Sequence, residues 1–226
     1  MANDHRFHKR FIATFGMHTV EAARNWATEQ LIHGSEDYLL MIDNDTRTSQ
    51  GGNLVNLLDL AAFDKDVVAA PVPVMKTNQV YLNAYRHDEG VCFASSTQED
   101  MEQALLRDKG LLERDGLGTG AICIHRRVLE AVRQSNWMPT ELADKVLWNS
   151  GPPYPAWVYA RDCVGNILQG EDLLFCRRAQ HLGFRCYTSL NHLCGHDHSN
   201  DFREIPEIES LMGLRVETLK KAAQAA

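Results

Sequence analysis

The stretch "YLLMIDNDTRTS", Tyr38 to Ser49, joins an apolar run to two aspartates that are separated by one residue. The run 38–42 predicts a buried strand, and Asp43 and Asp45 follow it directly. In an extended chain residues i and i+2 point the same way, so both carboxylates face one point beyond the strand. Two carboxylates held that close repel each other unless a positive charge lies between them. The pattern fits Mg²⁺ or Mn²⁺ bound by oxygen ligands, but "DNDT" is also typical of a turn that bonds its own backbone.

The rest of the chain alternates between predicted strands and predicted helices. This alternation indicates an α/β domain with a mostly parallel sheet flanked by helices, together with some antiparallel hairpin. The predicted strands cover residues 10–15, 38–42, 66–74, 80–87, 90–96, 118–125 and 184–190. The predicted helices cover residues 19–34, 53–63, 98–106, 126–134, 170–183 and 205–226, and residues 137–157 form a proline-rich loop. Ligand sites in such sheets lie at the carboxyl ends of strands, which is where Asp43 and Asp45 fall.

Length and composition restrict the class of protein. The 226 residues suit one α/β domain, and the formal charge of −7 gives no help in binding nucleic acid or an anionic membrane. The six cysteines form no CxxC pair and no short disulfide framework, so we expect them to be reduced. No stretch approaches the roughly 20 apolar residues of a membrane span, and the N-terminus lacks the apolar core of a signal peptide. We therefore expect a soluble, cytoplasmic protein.

A second group of possible metal ligands lies in "HLCGHDHS", where His192, Cys194, His196 and His198 alternate. A strand there would present all four side chains on one face, which is compatible with zinc. Zinc sites more often draw their ligands from separated segments, and no second cluster in the sequence pairs with this one. The pattern therefore favours a single functional histidine over a zinc site with four ligands.

Two further motifs lie where predicted elements begin. In "QGEDLLF", Glu171 and Asp172 open a helix, where acidic residues complement the helix dipole or where one of them acts as a general base. The glycines of "GLGTGAI" do not match GxGxxG and no helix follows directly, so a dinucleotide site is not indicated. These glycines fit either a tight turn or a close approach of the backbone to a ligand.

Taken in order, these segments resemble the glycosyltransferases of the GT-A fold, especially family-2-like members. The resemblance is carried by "AARNWATEQLI", "DYLLMIDNDT", "DVVAAPVPV", "GTGAICIHRRVLEAV" and "GEDLLFCRRAQHLGFRCYTSLNHLCGH", and covers roughly residues 20 to 200. It implies a GT-A-like, Rossmann-like sheet and transfer of a sugar from a nucleotide-sugar donor to an acceptor that the sequence does not identify. A divalent metal ion would neutralise the departing diphosphate.

The resemblance also implies roles for particular residues. Mn²⁺ or Mg²⁺ would be bound by Asp43, Asp45 and His196, with His198 as the alternative histidine. Asp172 would be the catalytic base and Glu171 would lie beside it at the acceptor. The residues that would contact the substrates are Arg24, Asn25 and Asp43 near the nucleotide, and Gly118, Thr119 and Gly120 near the donor sugar and acceptor.

Only the short "RFIATF" precedes the helix that contains Arg24 and Asn25. We therefore expect a domain at residues 1–204 whose N-terminal nucleotide-binding part is abbreviated, followed by a helical tail at 205–226. A homo-oligomer contact or a partner subunit would then complete the nucleotide pocket. The alternatives are a GT-A-like module that binds a nucleotide or partner without turnover, and a nucleotidyltransferase. The second lacks support because the sequence has no phosphate loop rich in glycine and lysine.

Overall fold

The computed structural model describes residues 4–13, 19–50, 53–54, 56–76, 79–88, 91–95, 100, 103–104, 110–146 and 151–196. The helices are α1 (Val20–Ile32), α2 (Asp59–Ala62), α3 (Arg126–Gln134) and α4 (Glu171–His181), with 3-10 turns at Thr140–Leu142 and Leu190–His192. The strands are β1 (Tyr38–Ile42), β2 (Thr46–Arg47), β3 (Ser49–Gln50), β4 (Asn53–Leu54), β5 (Val67–Ala69), β6 (Pro73–Lys76), β7 (Gln79–Leu82), β8 (Ala84–Asp88), β9 (Val91–Ser95), β10 (Leu111–Glu113), β11 (Gly116–Leu117), β12 (Ala121–His125), β13 (Ala160–Arg161), β14 (Ile167–Gln169), β15 (Cys186–Ser189) and β16 (Gly195–His196).

A five-stranded mixed sheet, in the order β1-β12-β5-β15-β10, forms the centre of the fold. Only β5 and β15 are parallel neighbours, and the other three pairings are antiparallel. The prediction of a mostly parallel sheet is therefore wrong. Residues 118–120 enter the sheet at the end where β1 finishes. β12 therefore starts there and runs antiparallel to both of its neighbours, β1 and β5. A parallel neighbour would need a crossover connection instead.

Helices cover both faces of this sheet, and the strands alternate between the two apolar layers. Ile122 and Ile124 of β12 pack in the larger core with α1, α3 and α4. Ala121 and Cys123 face the opposite layer, where Leu60 of α2 packs. The domain is thus a mixed α/β protein with a sheet between helices. Among the described residues, none of the helices combines the length and the apolar character needed to cross a bilayer.

Most of the elements predicted from apolar spacing are present. Helix α1 begins where predicted, because the Thr19 hydroxyl accepts a hydrogen bond from the Ala22 amide at 3.2 Å. The predicted helix at 53–63 is wrong in its first half: β4 pairs with β3, and α2 is only one turn long. Strand pairing takes those first residues away from the helix, and the Asn56 side chain bonds the Leu58 amide just before α2.

Other predicted elements differ or lie outside the described residues. Residues 10–13 of the predicted strand 10–15 form no strand. The predicted hairpin consists of β8 and β9, whereas β7 pairs with β6. The predicted helix at 98–106 falls mostly outside the described residues, and the predicted tail helix at 205–226 falls wholly outside them.

Candidate functional site

Asp43 lies at the end of β1, beside the glycines that precede β12. Its amide donates to the Gly120 carbonyl at 2.8 Å, which continues the β1–β12 pairing by one residue. The Thr46 amide donates back to the Asp43 carbonyl at 3.1 Å, so the "DNDT" segment does form a turn. The turn uses the backbone of Asp43 and leaves its carboxylate for other contacts. The two interpretations of this motif are therefore compatible.

Arg24 joins the end of β1 to the start of α4. Its Nη1 donates to Glu171 Oε1, and its Nη2 lies 3.0 Å from Asp43 Oδ2 and 3.3 Å from Asp43 Oδ1. The Arg24 and Glu171 side chains are 7% and 8% exposed, whereas the Asp43 side chain is 38% exposed. A buried cation therefore holds two carboxylates from distant parts of the chain, and Asp43 is the one that faces solvent.

The carboxylates at this end of the sheet affect one another. Burial raises the pKa of Asp43, the nearby Arg24 guanidinium lowers it, and the charges of Asp45 and Glu171 raise it again. Asp43 and Asp45 are thus close enough to repel each other, as their spacing predicts. The site carries more negative charge than Arg24 alone neutralises.

Asp172 has the pKa shift most relevant to proton transfer. Burial, reinforced by the charge of Glu171, raises the pKa of Asp172 to about 6, although its Oδ1 accepts a hydrogen bond from the Leu173 amide at 2.7 Å. An ordinary aspartate is a much weaker base, so this carboxylate is suited to accept a proton near neutral pH. Burial, followed by the charge and hydrogen bond of Glu171, raises the pKa of Tyr159 to about 12.

The segment 118–120 packs closely against the protein itself. A Cβ on Gly118 would lie 2.0 Å from Asn83 Nδ2, and a Cβ on Gly120 would lie 2.9 Å from Thr46 Oγ1. Thr119 is 3% exposed. Close packing against the side chains of Asn83 and Thr46 thus explains both glycines, and of residues 118–120 Gly120 lies nearest to the aspartates. Their predicted contacts with donor sugar and acceptor remain predictions.

Asn25 has a second role that the sequence did not indicate. Its Nδ2 donates to the Trp157 carbonyl at 2.7 Å, and its Oδ1 accepts from the Trp157 amide at 3.0 Å. The side chain of Asn25 therefore anchors the proline-rich loop to α1. Its predicted contact with the nucleotide remains a prediction, while Arg24, one residue earlier, is the member of the pair that contacts the aspartate.

The histidine-rich segment divides into two parts. His196 pairs through its backbone with Thr46, which places its main chain next to Asp45. His192 is buried elsewhere, with Nδ1 2.7 Å from Ser189 Oγ and Nε2 3.6 Å from Asp59 Oδ2. Burial raises the pKa of Cys194 to about 12, which disfavours the thiolate that zinc would need. These contacts disfavour the four-ligand zinc site, and His198 lies outside the described residues.

A divalent ion fits this site only in part. Among the residues that the structure describes, no three His, Cys, Asp or Glu side chains are grouped so that they could hold a metal ion. Asp43 and Asp45 offer two carboxylates that repel each other, and the backbone of His196 runs beside them. Mg²⁺ commonly binds one or two carboxylates and completes its coordination with water and substrate phosphates. The aspartates suit such an ion, rather than one enclosed entirely by protein ligands.

Comparisons with known proteins add little. No family model matches the chain, and no curated protein matches it. One solved structure with a similar chain course is the crystal structure of A197 from STIV, which is 18% identical over 80% of this chain and 68% of that chain, with a TM-score of 0.44. A similarity this loose supports no inference about activity.

Two tyrosines at the site were not found from the sequence. Tyr159 hydrogen-bonds to Glu171, and the charge of Asp172 adds to the burial that raises the pKa of Tyr85. Tyr159 lies just after the proline-rich loop and Tyr85 lies in β8, so neither belongs to the motif that opens α4. Only the tertiary fold brings them to the carboxylates, and the sequence carries no local signal for it.

Proposed function

We propose that this protein is a metal-dependent glycosyltransferase with a GT-A-like scaffold and a nucleotide-sugar donor. One observation carries the proposal: the buried Arg24 guanidinium contacts both Asp43 and Glu171. Asp43 belongs to the motif expected to bind the donor, and Glu171 to the pair expected beside the acceptor. A turn at 43–46 and a helix start at 171 that served only local structure would have no need to meet.

Asp43 and Asp45 would hold Mn²⁺ or Mg²⁺, together with His196, whose backbone pairs with that of Thr46. When bound, the ion would neutralise the charge that develops on the departing diphosphate. Arg24 neutralises part of the charge on Asp43 and fixes its orientation. Asp45 is the more exposed of the two aspartates, and we assign it the larger share of metal binding.

Asp172 would act on the acceptor. In an inverting transfer the acceptor oxygen bonds to the anomeric carbon, its proton passes to Asp172, and the bond from that carbon to the diphosphate oxygen breaks. A carboxyl group with a pKa of about 6 is largely ionised at pH 7 and is a stronger base than an ordinary aspartate. Glu171 is bound to Arg24 and Tyr159, which suits a residue that positions its neighbours.

The test is release of nucleoside diphosphate from a panel of nucleotide sugars, with and without Mn²⁺ or Mg²⁺. We expect at least one donor to be cleaved only with metal, and we expect Asp45→Asn and Asp172→Asn to lose that activity. Asp144→Asn is the matched control, because Asp144 is an exposed carboxylate paired with Lys145. No release from any donor by the folded chain, or equal release by all three variants, would contradict the proposal.

One observation favours a second candidate, a module that binds a nucleotide without turnover. Asp43 already has a protein cation as its partner, so it has less need of a metal ion. Such a module would be stabilised against heat by a nucleoside diphosphate with no dependence on Mn²⁺, and would release nothing from the nucleotide sugars. The same panel, followed by thermal denaturation, separates the two candidates.

A further inference from the structure

The hairpin formed by β13 and β14 carries a group of exposed apolar side chains. Val164 is 78% exposed, Ile167 is 52% exposed and Leu168 is 49% exposed. Seven large apolar side chains are exposed in the part of the chain that the structure describes, and these three share one stretch of five residues. A strand that packs on a core buries alternate residues, whereas Ile167 and Leu168 follow one another and are both half exposed. The outer part of the hairpin is therefore uncovered by the rest of the protein.

Hydrogen bonds hold the tip of the hairpin in a fixed shape. Asp162 Oδ1 accepts from the amides of Val164 and Asn166 at 3.0 and 2.8 Å, and its Oδ2 accepts from the side chain of Asn166 at 2.8 Å. Gly165 has a φ of +92°, and Arg161 Nη1 donates to the Gly165 carbonyl at 3.1 Å. The apolar side chains are thus presented on a preformed tip. The same bonds offset part of the cost of bringing the Asp162 carboxylate near an apolar phase.

The base of the hairpin is anchored in the fold. Ala160 is buried and packs with Leu142 and Leu174 in a small apolar cluster. The Arg161 amide donates to the Lys145 carbonyl at 3.2 Å, which ties β13 to the segment before it. The exposed tip therefore stands on a buried base, as a surface that inserts into a partner must do.

The distribution of charge and of aromatic side chains indicates the kind of partner. The Arg161 guanidinium lies 4.9 Å from the centre of the Tyr159 ring, below the apolar tip. Arginine and tyrosine at the base of an apolar segment are typical of the boundary between a bilayer and water. From Arg161 to Val164 the chain advances three residues, at most about 10 Å. Apolar side chains at a membrane surface are buried to a depth of about 5–10 Å.

Two further features favour lipid over a protein surface, and neutral lipid over anionic lipid. A flat protein surface would cover one face of the hairpin, whereas lipid can surround a tip that is exposed at successive positions. Residues 158–169 contain one arginine and one aspartate, so the hairpin has no net charge. The whole chain has a formal charge of −7, which opposes binding to an anionic bilayer.

We propose that the β13–β14 hairpin inserts Val164, Ile167 and Leu168 into the surface of a zwitterionic lipid bilayer. The driving force is the transfer of apolar side chains out of water. β14 leads through Gly170 into the Glu171–Asp172 pair, so binding would bring the candidate acceptor end of the site close to the membrane. That consequence rests on the proposed function, whereas the binding itself does not.

Co-flotation of the full chain with phosphatidylcholine vesicles tests the proposal. We expect the chain to float with the vesicles. The variant that combines Val164→Thr, Ile167→Thr and Leu168→Thr should have a partition coefficient at least tenfold lower, because three apolar side chains no longer enter the lipid. Threonine keeps the β-propensity of the strand, and circular dichroism checks that the variant is folded. Replacing half of the lipid with phosphatidylglycerol should not strengthen the binding of the parent.

The matched control removes three exposed apolar side chains outside the hairpin, through Phe11→Thr, Ile12→Thr and Val20→Thr. We expect this control to float like the parent. Equal losses in the two triple variants would overturn the proposal, because binding would then depend on general surface hydrophobicity. Failure of the folded parent to float would overturn it as well.

Val164→Trp gives a measurement that does not depend on a loss of binding. The larger apolar side chain at the tip should raise the partition coefficient several-fold, and brominated phosphatidylcholine should quench the added fluorescence, taken as the difference from the parent. A tip tryptophan that bromine does not quench would contradict insertion. Self-association of the parent that the hairpin variant abolishes, without flotation, would show that a second copy covers the tip. Donor cleavage is measured without vesicles, so none of these outcomes bears on it.

Discussion

Two of the buried arginines in this protein are used in different ways. Arg24 binds two carboxylates, and the one contributed by Asp43 remains 38% exposed. Arg178 is 1% exposed and donates to backbone carbonyls: Nη1 to Pro155 O and Ala156 O at 2.8 and 2.9 Å, and Nη2 to Val132 O and Ser135 O at 2.9 Å each. Arg24 joins charged side chains at the end of the sheet, whereas Arg178 holds the proline-rich loop against α3.

The contrast is between an arginine that stabilises the fold and one that, under the proposed function, also organises the candidate site. Carbonyls carry no net charge, and burial lowers the pKa of Arg178 to about 10, so its position is held by the number of its hydrogen bonds. Around Arg24 the carboxylates outnumber the cation, and one of them faces solvent. We propose that this arrangement of carboxylates, one of them open to solvent, serves the binding of a cation.

The largest effect on stability is expected from removing the hydrogen bonds of Arg178 to the backbone carbonyls. Arg178→Met leaves four backbone carbonyls without these donors, two of them buried and two part-buried, and we expect the free energy of unfolding to fall by about 4–5 kcal/mol. Urea denaturation measures the change. Arg177→Met is the matched control, because Arg177 pairs with the exposed Glu141 and should cost about 1 kcal/mol or less. Equal losses in both variants would show that the carbonyl contacts do not hold the loop.

A somewhat smaller loss is expected from Arg24→Met, about 3–4 kcal/mol, because Glu171 stays buried without its cation. Adding Glu171→Gln removes that buried charge and should recover most of the stability. Donor cleavage should be lost in the single variant and should not return in the double variant. Recovery of cleavage along with stability would mean that Arg24 serves only the fold, as Arg178 does.

Asp172→Asn should change stability in the opposite direction, because we expect it to raise the free energy of unfolding. The pKa of Asp172 rises from 3.8 to about 6, so its ionised form destabilises the folded state. About two units at 1.36 kcal/mol each give at most about 3 kcal/mol. The stability that the protonated group contributes is complete below pH 3.8 and is lost as the pH rises to about 6. The difference in the free energy of unfolding between Asp172→Asn and the parent should therefore grow between pH 4 and 6 and stay constant above pH 6.

Thermal denaturation across that pH range measures the difference, and donor cleavage by the unsubstituted protein should rise through pH about 6 as Asp172 ionises. Residues selected for function often lower stability, and Asp172 would be one of them. A variant that is less stable than the parent at pH 7 would show that the carboxylate is structural.

The sequence was sufficient where local chemistry decides the structure. The apolar run before Asp43 predicted β1, the Thr19 cap and apolar spacing predicted α1, and the amphipathic run at residues 170–183 predicted α4. Both halves of the site lie at the ends of these elements, so the candidate carboxylates could be chosen without a structure.

What the sequence did not predict depends on contacts between distant segments. The antiparallel position of β12 follows from where the chain enters the sheet, and a run such as "AICIH" looks the same in either direction. Arg178 lies within the quoted segment that begins "GEDLLFCRRAQHLG", but its acceptors are backbone carbonyls, which every residue has. The types of residue in the sequence therefore could not identify the partners of Arg178 or of Tyr159.

The smallest effect on stability, with a large effect on function, is expected at Asp45. This residue is exposed, so Asp45→Asn should change the free energy of unfolding by no more than about 0.5 kcal/mol. Removing one of the two proposed carboxylate ligands should nevertheless abolish the Mn²⁺-dependent binding of a nucleoside diphosphate, which titration calorimetry measures with and without the ion. Asp144→Asn again supplies the exposed-carboxylate control. If Asp45→Asn binds as tightly as the parent in Mn²⁺, the acidic surplus around Arg24 serves something other than a metal ion, and the contrast with Arg178 loses its functional meaning.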